Sequence, residues 1–217
     1  MVKSCDAKAL LGFLRENQFK REDVLLLGIP CAGLWENGQL ALKCYGCREE
    51  VSPLSDWTIT PQGAQKGAAT SGAERKVVAD PRDQQIAFVE SLSSEERWNY
   101  WQRQFDRCLR CYACRAVCPL CYCSICISDK HRPQWISTSF DGKGNTAWNI
   151  ARAMHLAGRC IGCDECARVC PAGIRLDLLN RRLAREIETR FDYRSDQDPS
   201  ISPALTTFRP DDPDEFL

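Results

Sequence analysis

Cys108-Leu109-Arg110-Cys111-Tyr112-Ala113-Cys114-Arg115-Ala116-Val117-Cys118-Pro119 and Cys160-Ile161-Gly162-Cys163-Asp164-Glu165-Cys166-Ala167-Arg168-Val169-Cys170-Pro171 are two copies of one spacing. Each copy reads C-x-x-C-x-x-C-x-x-x-C-P. This is the run that holds a pair of [4Fe–4S] cubanes: three close thiolates wrap one cube, and the Cys before Pro reaches across to the other. The expected ligand sets are Cys108, Cys111, Cys114 with Cys170, and Cys160, Cys163, Cys166 with Cys118. Zinc is the competing ligand, because C-x-x-C pairs also hold zinc. A zinc knuckle does not require a third Cys and a Cys-Pro at fixed offsets, twice over.

Working outward, the chain has 217 residues, 15 of them Cys, and a formal net charge of zero. That charge balance gives no reason to expect nucleic acid or an anionic membrane as partner. A secreted chain so rich in Cys would be a disulfide scaffold. The cluster spacing argues instead for thiolates in a reducing compartment, so a cytoplasmic location is expected. No signal peptide is recognised. The longest apolar stretch, residues 24–29, is far shorter than the roughly 20 residues that span a bilayer, so no direct membrane insertion is expected. Much of the apolar content is cysteine. Folding and metal loading should therefore be coupled, and the apo chain is not expected to be well folded.

The expected fold class is α+β, with four segments. Residues 1–58 read as a small α/β cysteine module: a helix over 6–18 with Ala7, Leu10, Leu11 and Leu14 on one stripe, a strand over 24–29 and a second over 39–42. Residues 59–82 read as a linker, small, polar and rich in Gly. Residues 83–192 read as a bacterial-type two-cluster ferredoxin domain with a helical insertion and flanking helices. Ser93 and Glu96 form a capping box before a helix with Trp98, Trp101 and Phe105 on one face, a stripe best explained by core packing. The insertion between the two runs holds a helix over 146–156 that Asn145 or Thr146 could cap. A strong helix follows over 176–191. Residues 193–217 read as an extended tail rich in Asp and Pro, with Ile201, Leu205, Phe208, Phe216 and Leu217 spaced like a strap.

Seven cysteines remain. Cys5, Cys31, Cys44 and Cys47 lie in the N-terminal module, with Cys44-x-x-Cys47 as a tight turn. They suit a third cubane; zinc or plain burial are the alternatives. Cys121, Cys123 and Cys126 supply only three ligands. They could border a cluster, lend a ligand by exchange, or hold a cluster with a non-cysteine or N-terminal-module ligand, and these alternatives stay open.

The segment 108–126, with its Cys-Pro-Leu-Cys-Tyr-Cys-Ser-Ile-Cys ending, resembles the iron–sulfur segment of formate dehydrogenase beta subunits. It is also similar to deazaflavin-coenzyme hydrogenase beta subunits and to heterodisulfide-reductase-associated iron–sulfur proteins. Gly28-Ile-Pro-Cys-Ala-Gly33 and Lys43-Cys-Tyr-Gly-Cys47 resemble the N-terminal cysteine module of the same proteins. The resemblance covers most of residues 5–190. It implies an electron-transfer subunit of a hetero-oligomeric oxidoreductase of anaerobes. The implied partners are redox subunits of formate dehydrogenase, hydrogenase, heterodisulfide reductase or flavoprotein type. This chain is shorter than those beta subunits and shows no flavin domain, so no flavin is expected.

No nucleophile–base pair stands out. His131 and His155 are the only histidines, and each reads as a surface or packing residue. Asp141-Gly-Lys-Gly-Asn-Thr146 reads as a turn with a helix cap, since it matches neither phosphate-loop pattern. Arg107, Arg110, Arg115 and Arg159 stand near cluster cysteines and could offset cluster charge, or simply face solvent. The competing function is a catalytic subunit whose special cysteine-bound cluster, drawing on Cys121, Cys123 and Cys126, acts on thiol or disulfide substrates. A redox sensor using exposed cysteines is a third class.

Overall fold

The computed structural model describes residues 1–47, 50–68, 78–195, 200–204 and 210. It divides into two units, Met1–Pro81 with Ser195–Pro203, and Arg82–Arg194 with Ala204–Leu217.

In the first unit, Val2 bridges Gly28 in parallel. Helix α1 (Ser4–Arg15) starts two residues later and buries Ala7 and Leu11. Strand β1 (Leu27–Gly28) is shorter than its apolar run suggests. It pairs in parallel with β4 (Trp57–Thr60), which pairs antiparallel with β5 (Gly63–Lys66). Gly28 is required by close packing, because a Cβ there would lie 2.2 Å from Ser55 Oγ. Asp56 anchors the corner before β4: its carboxylate accepts from Leu26 N–H and from Arg21, both at 2.7 Å. The Leu26 N–H, then Arg21, hold that carboxyl below its ordinary range. Between β1 and β4 stands a separate hairpin, β2 (Trp35–Glu36) with β3 (Gln39–Leu40). Its turn is Asn37-Gly38, both at positive φ, the combination that two-residue hairpins favour.

The β4–β5 hairpin corrects the linker expected from residue 59. Small, polar residues there form an exposed ladder, and Gly63 at φ 132° permits its tight turn. The Gly-rich segment 69–77 lies outside the described residues.

The second unit is helical, and among its described residues no named strand occurs. Helix α2 (Pro81–Ser91) is followed by α3 (Ser94–Asp106), whose capping box is formed by Ser93 and Glu96: Ser93 N–H donates to Glu96 Oε2 at 3.0 Å and Glu96 N–H to Ser93 Oγ at 3.3 Å. Phe105 is buried and Trp101 stacks on it at 5.9 Å, as core packing requires. Trp98, further along the stripe, is 46% exposed. The one-turn helices α4 (Ala113–Ala116) and α6 (Glu165–Arg168) pack together, one from each cysteine run. The insertion helix α5 (Gly142–His155) packs on α3 and on α7 (Leu176–Phe191).

Helix α5 starts four residues earlier than expected because Asp141 is its cap, accepting Gly144 N–H at 2.7 Å. Asn145 is instead wholly buried and donates to the carbonyls of Cys108 (2.9 Å) and Phe140 (3.1 Å). It therefore ties the insertion to the start of the first run. In the tail, Tyr193 and Ala204 are buried against Ala157 and Ile187. Ile201 is exposed, while Leu205, Phe208, Phe216 and Leu217 lie outside the described residues.

Candidate functional site

The backbone of the two cysteine runs repeats as closely as their spacing. Arg110 and Gly162 take left-handed φ values of 54° and 69°, and Tyr112 and Asp164 take 60° and 59°. These residues occupy matching positions just before and just after the second Cys. They curl the chain so that successive thiols face inward, and a short helix then carries the third Cys of each run.

The result is two cavities, each bordered by one run's three thiols and the other run's Cys-Pro. Cys108, Cys111, Cys114 and Cys170 line one. Cys160, Cys163, Cys166 and Cys118 line the other. Four thiols around a cavity suit a cubane's four iron corners.

The surroundings supply hydrogen bonds to sulfur. Ile174 N–H donates to Cys170 Sγ at 3.4 Å, and Asn180 Nδ2 donates to Cys166 Sγ at 3.7 Å. Burial pushes the Cys166 thiol up to about 12 and Cys160 up to about 11, so each needs a strong positive partner to become a thiolate. Burial also raises Cys163, and Cys114 in the other cavity. Cys118 moves the opposite way, chiefly because the Cys121 thiol donates a hydrogen bond to it.

The positive partner comes from Arg152 on α5, a residue the sequence reading passed over. Arg152 is buried and donates Nη2–H to the Cys114 carbonyl at 2.7 Å. Its Nε and Nη1 have no protein acceptor. It lines the Cys160 cavity and acts electrostatically on Cys114, Cys166, Cys121 and Cys118. A buried guanidinium with spare N–H groups beside both sets of thiols fits anionic sulfur as the missing acceptor. A sequence signal existed: Asn145, Trp148, Asn149 and Arg152 recur at helical spacing, and all four are buried.

The arginines that were singled out divide. Arg110 is buried, donating to Gly144 O (2.7 Å) and Ser137 O (2.6 Å) and stacking over Trp148. Arg115 pairs with Asp129 at 2.8 Å and also donates to Cys126. Arg159 donates to Leu120 O at 3.2 Å and lies over Tyr122. Arg107 is exposed.

In the first unit, the parallel bridge between Val2 and Gly28 places Cys5 and Cys31 each three residues past a paired position. Burial, then Asp6, Cys31 and Cys47, raise the Cys5 thiol, so these three sulfurs share one neighbourhood. Cys44 Sγ accepts Leu34 N–H at 3.2 Å, and Gly46 at φ 70° makes the C-x-x-C turn. Cys121, Cys123 and Cys126 line a further cavity with His155. His131 is exposed.

Residues 107–175 match the 4Fe-4S dicluster domain. The chain therefore carries an iron–sulfur domain, and the match takes in all eight cysteines of the two runs. Over 96% of its length the chain is 26% identical to the F420-dependent formate dehydrogenase subunit beta of Methanocaldococcus jannaschii, covering 76% of that protein. That alignment spans 294 positions, more than the 217 residues here, so the relative has segments without counterpart in this chain. A 66-residue stretch, 30% of this chain, is 33% identical to 16% of the F420-dependent formate dehydrogenase 1 subunit beta of Methanococcus maripaludis. Similarity to formate dehydrogenase beta subunits thus runs along nearly the whole chain. Among the described residues, no helix is long and apolar enough to cross a membrane.

Proposed function

We propose that this chain is the iron–sulfur electron-transfer subunit of a hetero-oligomeric oxidoreductase of formate dehydrogenase type. Cys108, Cys111, Cys114 and Cys170 would hold one [4Fe–4S] cluster, and Cys160, Cys163, Cys166 and Cys118 a second. Cys5, Cys31, Cys44 and Cys47 would hold a third. Clusters so held pass single electrons.

The observation that carries this reading is the crossing: each cavity is closed by the Cys-Pro of the opposite run. The chain's own task is to hold both cavities rigid and set their electrostatics. Arg152 brings a positive charge beside both sets of thiols, and the N–H groups of Asn180 and Ile174 bind sulfur directly. Both effects favour the more negative, reduced state and raise the potential. Tight thiol cavities without a separate substrate base make a relay the economical role. The partner then supplies the formate chemistry, and a reducing cytoplasmic setting keeps the thiols available.

A tagged chain purified anaerobically from its own organism should bring down a formate-oxidising subunit. Its N-terminal site should add about four irons to the about eight of the dicluster part. Replacing Cys44 and Cys47 by Ala should remove about four irons. Formate oxidation by the isolated chain would overturn the relay reading. A loss of zinc, with iron unchanged, would overturn the N-terminal cluster.

A further inference from the structure

We infer that Cys121, Cys123 and Cys126 form an additional cluster site beside the dicluster pair, with His155 completing the ligand set. This goes beyond the relay reading, which uses none of these residues.

Three observations carry it. First, the three thiols and the imidazole line one cavity in the second unit, roomier than either cavity bordered by the paired runs. Among the described residues, no three His, Cys, Asp or Glu side chains converge as a single metal ion requires. The same holds for the eight cysteines of the runs. Zinc needs donors within roughly 2.0–2.3 Å of one point. A cubane takes donors spread around its corners, and these four line a single cavity.

Second, the cavity is ringed by cations. Arg115, Arg152 and Arg159 all line it. Arg152 is nine-tenths or more buried and has two N–H groups without protein acceptors. A cluster bound by three thiolates is an anion with sulfur acceptors, so it would answer both the charge and the spare donors. Arg115 and Ser128 already donate to Cys126 Sγ, as groups do that support a metal-bound thiolate.

Third, the site is joined to the relay. Leu120, Arg152 and Leu156 line both this cavity and the Cys160 cavity, and the Cys121 thiol hydrogen-bonds Cys118. His155 ends α5 and is exposed.

The test is iron, sulfide and zinc analysis of the full chain, loaded anaerobically, with pulsed EPR of the reduced protein. The triple variant Cys121→Ser, Cys123→Ser, Cys126→Ser should lose about four irons and four sulfides while keeping those of the dicluster pair and of the N-terminal site. His155→Ala, which leaves the three thiols, should retain the iron but lose a strongly coupled nitrogen signal present in the wild type. An unchanged iron count in the triple variant, or loss of zinc instead, overturns the site and leaves the dicluster reading intact. Absence of the nitrogen coupling in the wild type overturns His155 as ligand. A wild-type chain with fewer than about eight irons would instead overturn the dicluster reading.

Discussion

The two cysteine runs fold alike and are supported differently. Both place left-handed residues at the same two positions, and both put the third Cys on a one-turn helix. In the second run the left-handed Asp164 forms a buried ion pair with Arg82 and lies 3.6 Å from Arg181. Its Cys-Pro leads through Gly173 straight into the buried Ile174 and Leu176. In the first run the matching position is Tyr112, edge-on to Trp148 at 5.0 Å, and the chain after Pro119 goes to Leu120, Cys121 and an irregular segment. One spacing thus specifies the cage, while the residues between and beyond the cysteines decide what the cage is attached to. The second run is built into the helical core; the first opens toward the Cys121 cavity.

The largest effect should come from the crossing itself. Cys170→Ser should remove the cluster bordered by Cys108, Cys111 and Cys114 and spare the other. Cys118→Ser should do the reverse. EPR of the reduced variants separates the two signals, and loss of the same-run cluster in each case would break the crossed assignment.

Next is the buried ion pair at Asp164 of the second run. Arg82 is 1% exposed and Asp164 7%. Arg82→Met should cost about 3–5 kcal/mol, the penalty of leaving a buried carboxylate without its main partner. The value should fall at the low end, since Arg181 stays near. The midpoint of cluster bleaching in denaturant measures it, and an unchanged midpoint would show that Asp164 does not depend on this pair.

Arg152 belongs to both runs, so its removal should not distinguish them. Arg152→Met takes away a buried charge beside thiols of each cavity. Both clusters should fall in potential by about 50–100 mV, equivalent to about 1–2 kcal/mol per electron. A shift confined to one cluster would place the charge on that side alone.

Much of this was legible in the sequence, and the limits have physical causes. The grouping of the eight cysteines around two cavities was readable because both runs repeat one offset. The helix over 176–191 was readable from its stripe, and the start of α3 from Ser93 and Glu96. Arg152 was missed because a lone Arg on a helix is ordinarily a solvated charge; only its shared face with Asn145, Trp148 and Asn149 marks it. Asn145 was taken for a cap because Asn favours caps, yet Asp141 stands where the side chain can reach Gly144 N–H. The β4–β5 hairpin was hidden because β5, a short exposed strand over Gly63–Lys66, has the composition of a linker.

The smallest effect concerns the left-handed position just before the second Cys, Arg110 in the first run and Gly162 in the second. At Gly162 a Cβ would meet nothing within 4 Å, so Gly162→Ala carries only the backbone penalty of φ 69°. It should cost about 1 kcal/mol and leave both potentials in place. Arg110 already bears that penalty, and offsets it with hydrogen bonds to Gly144 O and Ser137 O and its stacking on Trp148. Arg110→Gly should therefore destabilise despite relieving the backbone, by about 1–3 kcal/mol, because two carbonyls lose a charged donor. Denaturant midpoints of the two loaded variants settle the comparison. If Arg110→Gly proved stabilising, its hydrogen bonds and stacking would not offset its backbone, and the first run would differ from the second in sequence but not in how it is held.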